Sequence, residues 1–485
     1  MAGAVIAGAT INVPGDAPTI QAAIDLAQTG DTVLVAPGTY QESSTIHVNK
    51  QITVASWYHT TGLESYIDQT ISNSTASTTL DVTSAGAGAL VTGFTIDGPD
   101  KGIQLFAKAD VTHCSFRDTG GDSLSWEDGG AGTFSYNRFF NCGDDCIDSD
   151  NDSNGVAGGD RTIEHNAMNG ADDDCIEVRL QDYTGAEMHY YVRYNTIENC
   201  SDDGVQLIDY PGASSRRFSI YRNLFRSSGT SGVGATANGS TNQTGAGSPL
   251  AEPVKIYNNT IIGPQWGIVG GTNMMIVNNI IKGTTAYALR MLQDRSWAAY
   301  NDLYENAANA DPTSQPLVGE GILYSNPELD STFHLTDGSP CIDAGVVHYE
   351  KNAQVMDVTD YLGAAPDMGA YENPCLVPAE VSPPCAATPF TVTRSTLWRL
   401  ELAWQAASGA ATYRIVSGSL SGLQPAGVTA VDSFPWACGI VGTINSVAEP
   451  GGSIFLLVAG DNAVGTGPLG DASIGTQRIT SPICP

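Results

Sequence analysis

A pattern of apolar and polar positions repeats through the middle of the chain. Each repeat has an apolar residue three positions before an Asn and another two positions after it, as in FSYNRF (134–139) and IEHNAM (163–168). The repeated asparagines are Asn137, Asn166, Asn195, Asn223, Asn259 and Asn279, and Cys114 takes their place in an earlier copy. The spacings from Cys114 onwards are 23, 29, 29, 28, 36 and 20 residues. Such spacings are typical of solenoid coils with loops of varying length.

The composition of each repeat predicts short strands rather than helices. β-Branched and aromatic residues alternate with polar ones, and Gly, Asn and Asp interrupt every repeat. Asparagines stacked on successive coils can bond to one another, so we interpret them as scaffold. Residues 18–40 predict a short amphipathic helix, a strand and a PGTY turn, and the helix would cap the open end of the solenoid. The segments GSPCIDAG (338–345) and APDMGAYE (365–372) would close the last coils.

Together these segments resemble right-handed parallel β-helix proteins of the pectate-lyase-like superfamily over residues 10–374. The resemblance implies an all-β fold, a right-handed parallel β-helix (solenoid) with a short N-terminal capping helix. We expect this domain to span 1–374, followed by a Pro-rich linker at 375–387. Residues 388–485 hold short alternating strands and resemble a fibronectin-type or immunoglobulin-like β-sandwich. Lyases, hydrolases, epimerases and phage adhesins share this β-helix, so the fold does not specify the activity.

The charge of the chain limits its partners. Its net charge is −31, with 52 acidic and 21 basic residues. This argues against binding to nucleic acid or to an anionic membrane through a basic face. It favours neutral or cationic partners, or bound cations that let an anionic partner approach. No apolar run is long enough to span a bilayer.

The ten cysteines indicate an oxidising, extracellular setting. We therefore expect a secreted protein, and we expect it to be monomeric. The N-terminus lacks a basic region before its short apolar run, so we expect the signal peptide to be absent from this sequence. Cys146 and Cys175 occupy equivalent places on adjacent coils, about 5 Å apart, and would form a bridge or two stacked thiols. Four more cysteines allow three pairings in the small domain: Cys375, Cys385, Cys438 and Cys484.

Paired acids recur once per coil in three successive coils. They occur in GDDCIDSD (143–150), ADDDCIEV (171–178) and SDDGVQLI (201–208). Alignment on the asparagines also aligns the strands that follow these pairs, and side chains alternate between the two faces of a strand. The predicted inward rows are Leu124, Ile147, Ile176, Val205 and Trp126, Ser149, Val178, Leu207. The predicted outward rows are Ser125, Asp148, Glu177, Gln206 and Glu127, Asp150, Arg179, Ile208.

Carboxylates stacked in this way repel one another by several kcal/mol when partly desolvated. Protonation, pairing with Arg179 or a bound cation would relieve the repulsion. Ca²⁺ takes six to eight oxygen ligands and suits carboxylates from adjacent coils. We therefore predict Ca²⁺ bound by Asp122, Asp144, Asp145, Asp148, Asp150 and Asp173. The simpler alternative is that Asp after Gly or Ser only stabilises a turn.

The acidic motif is similar to that of family nine polysaccharide lyases. Asp144, Asp145 and Asp148 match the GDDGxD-like motif of the primary calcium site in that family, and Asp122 matches the acid on the preceding coil. Cys146 stands where the family has Gly. The resemblance implies calcium-dependent β-elimination from a uronate with a lysine base. The aligned outward rows contain no Lys, and their best-placed cation is Arg179, which would otherwise only pair with Asp150 or Glu177.

Three functions remain open from the sequence. The first is a secreted polysaccharide lyase with catalytic residues among Arg179, Glu177, Asp174 and Asp203. The second is a glycoside hydrolase that uses two carboxylates roughly 5–9.5 Å apart. The third is a non-catalytic carbohydrate-binding β-helix with structural calcium.

Two long segments would project beside the acids and contact the polysaccharide. They are residues 179–190 and 209–217. Surface loops on such a scaffold carry much of its specificity. The candidate substrate-binding residues are Arg216, Arg217, Tyr183, Tyr210 and His189. The arginines and the histidine could equally be solvated loop residues.

Overall fold

The computed structural model describes residues 8–98, 100–149, 159–180, 183–209, 214–237 and 253–373, together with the backbone of strands between 391 and 480. The chain divides into two compact units, one formed by most of residues 1–371 and the other mainly by 372–485. In the described residues, no helix is long and apolar enough to cross a membrane.

Three parallel sheets form the first unit, and each coil after the first contributes one strand to each sheet. Sheet A has 12 strands: Thr10–Val13, Thr32–Val35, Thr53–Ser56, Leu90–Thr92, Asp110–Thr112, Gly132–Ser135, Arg161–Glu164, Tyr183–Arg193, Ser214–Tyr221, Val254–Tyr257, Met274–Val277 and Trp297–Ala299. Sheet B has 11: Gly38–Glu42, Thr70–Ser74, Thr95–Asp97, Ser115–Arg117, Arg138–Cys142, Ala167–Ala171, Thr196–Cys200, Leu224–Arg226, Thr260–Ile262, Ile280–Lys282 and Asp302–Tyr304. Sheet C has 11: Ile46–Val48, Thr78–Val82, Lys101–Leu105, Leu124–Trp126, Ile147–Ser149, Ile176–Leu180, Val205–Asp209, Ser231–Ala237, Trp266–Val269, Tyr287–Arg290 and Ala308–Ala310. The right-handed parallel β-helix expected from the sequence is confirmed.

Few other elements accompany the three sheets. The helices are Ile20–Leu26, Tyr58–Thr61 and Ser65–Gln69, with 3-10 turns at Ser84–Gly86 and Gln315–Leu317. An antiparallel hairpin joins His348–Lys351 to Gln354–Asp357. The strands described in the second unit are Thr391–Thr396, Arg399–Ala403, Thr412–Ser419, Ala430–Val431, Phe434–Ile440, Ile444–Ala448, Ile454–Asp461 and Ile479–Thr480. Two three-stranded antiparallel sheets form there. The fibronectin-type assignment and the domain boundaries stay predictions.

The first helix covers the open end of the solenoid, as predicted. Its N-cap is Thr19, whose hydroxyl accepts a hydrogen bond from the amide of Ala22 at 3.1 Å. Ile20, Ala23 and Ile24 are buried in the same core as the first coils. The helix therefore removes apolar surface that the first coil would otherwise expose.

The asparagine row is a continuous hydrogen-bonded ladder. The residue before each ladder Asn has a φ between 51° and 59°, where the chain turns from sheet A into sheet B. In each step the backbone N–H of one ladder residue donates to Oδ1 of the next Asn, at 2.8–3.0 Å. The ladder begins at Cys114 and ends at Asn301. The sequence pattern missed Asn301 because the small Ala298 stands where other coils have a larger apolar residue.

The disulfides differ from the expected pairing. Cys142 bonds to Cys146, and Cys175 bonds to Cys200. The prediction that Cys146 and Cys175 pair with each other or stay reduced is wrong, because each meets a cysteine at the end of a sheet B strand, Cys142 or Cys200. Cys114 and Cys341 are buried free thiols, and Cys375, Cys385, Cys438 and Cys484 lie outside the described residues.

Removing the side-chain amide of one ladder asparagine tests whether the ladder stabilises the solenoid. Asn195 accepts from the amide of Asn166 at 2.9 Å and donates to the carbonyl of Ile163 at 2.9 Å. Asn195→Ala should lower the free energy of unfolding by roughly 3 kcal/mol, because it leaves buried backbone groups without partners. The control is Asn169→Ala on an exposed strand position, which should change it by no more than about 0.5 kcal/mol. Denaturant unfolding measures both values, and equal changes in the free energy of unfolding for the two variants would contradict a structural role for the ladder.

A buried carboxylate near the last coils should make stability depend on pH. Burial raises the pKa of Asp302 to about 6, and its Oδ2 accepts from the thiol of Cys341 at 3.4 Å. Between about pH 4 and pH 6 the folded protein holds more protons than the unfolded chain, so this group lowers stability as the pH rises. Asp302→Asn should remove this decrease in the free energy of unfolding, which amounts to roughly 3 kcal/mol at most across that window. Denaturant unfolding at several pH values checks this, and parallel pH profiles for the two proteins would contradict it.

Candidate active site

The paired acids lie where the chain turns from sheet B into sheet C. On three successive coils the turn follows the sheet B strands ending at Cys142, Ala171 and Cys200. The amide of Asp173 donates to the carbonyl of Asp144 at 3.4 Å, and the amide of Asp202 donates to that of Asp173 at 3.0 Å. The three turns are therefore stacked in register on one side of the solenoid, as the sequence predicts.

The strands that follow these turns pair in the predicted register. Asp148 lies beside Ser125 on one coil and Glu177 on the next, and Glu177 lies beside Gln206. Leu124, Ile147 and Ile176 form the neighbouring inward row in the hydrophobic core. The row containing Asp148 and Glu177 is largely shielded from solvent, since both residues are only 3% exposed. Asp150, predicted on the second outward row, lies outside the described residues.

The two acids of each pair have different surroundings. The outer row, Asp144, Asp173 and Asp202, is exposed or half-buried. The inner row, Asp145, Asp174 and Asp203, is buried. The sequence could not separate the rows, because both acids of a pair lie in one tight turn.

The inner row is a second ladder, in which carboxylates accept backbone hydrogen bonds. Asp145 Oδ1 accepts from the amide of Asp174 at 2.9 Å, and Asp174 Oδ1 accepts from the amide of Asp203 at 2.6 Å. The hydroxyl of Ser231 then donates to Asp203 Oδ1 at 2.6 Å. Asp174 and Asp203, predicted as catalytic, are 0% exposed. Groups without solvent access in a structural ladder are poor candidates for proton transfer to a polysaccharide.

The charge on these acids is strongly disfavoured. Burial raises the pKa of Asp145 well above its ordinary range, and the charges of Glu177 and Asp148 raise it further. Burial also raises the pKa values of Asp174 and Asp203. The acids can therefore all be ionised together only where a positive charge compensates them.

Carboxylate oxygens converge in a group that we call the primary cluster: Asp145, Asp148 and Glu177. One oxygen from each lies within 4.8 Å of the others, and oxygens of Asp144, Asp145 and Asp173 converge in the same way. Hard oxygen donors from three residues on adjacent coils are the ligands that Ca²⁺ prefers. The donor set and its buried, like-charged character therefore fit a calcium ion.

Asp122, the predicted ligand from the preceding coil, lies outside both groups. Lys101 Nζ is 2.9 Å from Asp122 Oδ2. The alignment missed this lysine because it began at GDSLSWE (121–127), one coil after Lys101. The apolar pattern of KGIQL (101–105) could have extended it, since Ile103 pairs with Leu124.

Arg179 lies at the edge of the primary cluster. Its Nε is 2.6 Å from Glu177 Oε1, and its side chain is 39% exposed. Arg179 is thus paired with a buried acid and still reaches solvent. The buried Arg216 donates from Nη1 to the backbone carbonyl of Arg179 at 3.1 Å.

The predicted projecting loops are largely strands of sheet A. His189 lies in Tyr183–Arg193 and Arg217 in Ser214–Tyr221, and these two residues pair in register. Arg217 Nη2 is 2.6 Å from Glu187 Oε2, and the Nε2 of His189 is 3.0 Å from the hydroxyl of Ser219. Apolar and aromatic residues at alternate positions, as in MHYYVRY (188–194), extend these strands beyond the expected length. Tyr210 and the side chain of Tyr183 lie outside the described residues.

Comparisons with known proteins show similarity at the level of fold. No protein-family model and no curated protein sequence matches the chain. The catalytic domain of a GH87 α-1,3-glucanase in complex with nigerose is 13% identical, with a TM-score of 0.38 over 67% of this chain and 69% of that one. An alginate lyase from Paenibacillus sp. is 14% identical, with a TM-score of 0.36 over 65% and 98%. The mannuronan C-5 epimerase A-module from Azotobacter vinelandii is 13% identical, with a TM-score of 0.32 over 63% and 92%.

Calcium binding tests the primary cluster. Asp148→Asn or Glu177→Gln should weaken Ca²⁺ binding by at least about tenfold, because each removes charge from a ligand oxygen. Isothermal titration with CaCl₂ measures the affinity. Asp172→Asn is the matched control, since Asp172 is an exposed acid that directly precedes Asp173 and Asp174. Unchanged affinity in both cluster variants would contradict the assignment.

Proposed function

We propose that this protein is a secreted, calcium-dependent polysaccharide lyase that cleaves a uronate-containing polysaccharide by β-elimination. The observation that carries the proposal is the primary cluster, three buried carboxylates from adjacent coils with a partly exposed arginine at their edge. The protein would thus be a carbohydrate-active enzyme built on a parallel β-helix, and its elimination reaction would depend on calcium.

An anionic uronate could bind at this acidic site only beside a bound cation. The chain carries a net charge of −31 and presents stacked aspartates at the site, so the site alone would repel a uronate. A bound Ca²⁺ would ligate the sugar carboxylate and make the proton at C5 more acidic. Asp145, Asp148 and Glu177 would hold the ion, with Asp144 and Asp173 beside them.

Arg179 is the residue of this site best placed to meet the substrate. Its side chain is partly exposed, and Glu177 accepts a hydrogen bond from its Nε. An arginine is normally always protonated, and its planar fork binds a carboxylate through two N–H groups. We therefore propose that Arg179 contacts the uronate carboxylate next to C5 and that Glu177 orients it. Asp174, Asp203 and the buried Arg216 have no catalytic role in this proposal.

One observation favours a second function, glycoside hydrolysis. Asp148 and Glu177 place two carboxyl groups side by side on adjacent coils, and glycosidases likewise pair a protonated carboxyl with an ionised one. Such chemistry would need no metal. A non-catalytic carbohydrate-binding β-helix would release no product in either assay below.

The product separates these functions. We expect incubation with a uronate polymer such as alginate or pectate to raise the ultraviolet absorbance, because β-elimination leaves an unsaturated uronate. A chelator should abolish the signal and added CaCl₂ should restore it. New reducing ends without ultraviolet absorbance, unaffected by chelator, would support the hydrolase instead.

Conservative replacement of Arg179 tests its role. Arg179→Lys should lower kcat/KM by about a hundredfold, because a lysine keeps the charge and loses the planar fork. Arg226→Lys is the matched control, since Arg226 Nη1 also lies 2.6 Å from a glutamate, Glu198, and its side chain is 40% exposed. Near-normal activity in Arg179→Lys, with both variants folded, would reject the role.

A further inference from the structure

The stacked acids continue one coil beyond the primary cluster. Asp173 of the outer row and Asp174 of the inner row occupy the turn before Glu177, and Asp202 of the outer row lies on the next coil. One oxygen from each of these three residues lies within 4.8 Å of the others. Convergence alone is not evidence of a ligand, since acids often cluster without one.

The second observation is an unsatisfied oxygen on Asp174. Asp174 is 0% exposed, and its Oδ1 already accepts the amide of Asp203. Its Oδ2 is buried and has no hydrogen-bond partner among the described residues. By contrast, Asp203, the next member of the inner row, accepts a hydrogen bond from the hydroxyl of Ser231. A buried carboxylate oxygen without a donor is strongly unfavourable, so Asp174 is the member of this turn that needs a positively charged partner.

We propose that Asp173, Asp174 and Asp202 form a second divalent-cation site, which would take Ca²⁺. All three supply hard oxygen atoms. Asp174 would bind from the buried side through the oxygen that the ladder leaves unused. Asp173 and Asp202 are half-buried, so water can complete the six to eight oxygens that Ca²⁺ needs.

This site is separate from the proposed reaction. Glu177 belongs to the primary cluster and Arg179 lies at its edge, whereas Asp174 and Asp202 lie outside the cluster. The second cation would neutralise the charges of Asp173, Asp174 and Asp202, and its binding needs no substrate. Failure of the lyase assay would therefore leave this inference standing, and binding is measured without any polysaccharide.

The test is calcium stoichiometry by isothermal titration of the full chain with CaCl₂. Asp202→Asn should bind one ion fewer than the Asp172→Asn control, which loses the same charge at an exposed neighbouring position. Asp148→Asn should also lose one ion, and the double variant Asp148→Asn/Asp202→Asn should lose two. Unchanged stoichiometry in Asp202→Asn would overturn the second site, whatever the result for Asp148→Asn.

Crystals of the wild-type protein grown with CaCl₂ give a result that does not depend on the variants folding. We expect an anomalous difference peak about 2.3–2.6 Å from Asp174 Oδ2. A peak at the primary cluster with none beside Asp174 would overturn the proposal. Peaks at both places would support it.

Discussion

Successive coils of this solenoid lie about 4.8 Å apart, the spacing of hydrogen-bonded strands. Any side chain repeated once per coil therefore meets a copy of itself. The chain uses this constraint at two corners. At one corner asparagines accept the backbone amides of neighbouring coils, and at the other aspartates do the same. Both ladders satisfy backbone groups that would otherwise be buried without partners.

The two ladders differ in charge, and that difference creates the site. An asparagine amide donates as well as accepts, so Asn195 satisfies its neighbours without any ion. An ionised aspartate only accepts, and a stack of aspartates adds a negative charge at each coil. Asp148 and Glu177 then add two more buried acids beside Asp145. A scaffold that needed only hydrogen bonds could have used asparagine at both corners, which is why we propose that the acids hold a cation.

Much of this arrangement could be predicted from the sequence, because a repeat fixes the register of every coil at once. The alignment of Leu124, Ile147 and Ile176 placed Asp148 beside Glu177 correctly. It could not show that Asp174 and Asp203 turn into the interior, since that depends on which of two adjacent acids accepts an amide. It also could not pair Cys142 with Cys146, because the bridge depends on the geometry of the turn between sheets B and C. His189 and Arg217 lie on strands and not in loops, because the strands of sheet A extend into segments whose sequence is typical of loops.

The central claim is that the stacked carboxylates are compensated by calcium, and thermal unfolding tests it most directly. A ligand that binds only the folded state raises the unfolding temperature with its concentration. The unfolding temperature should therefore rise progressively as CaCl₂ is added to chelator-treated protein, at constant ionic strength. It should rise much less for Asp145→Asn, which removes a carboxylate oxygen of the primary cluster and keeps an acceptor for the amide of Asp174. An unfolding temperature that does not change between chelator and millimolar calcium would contradict the account.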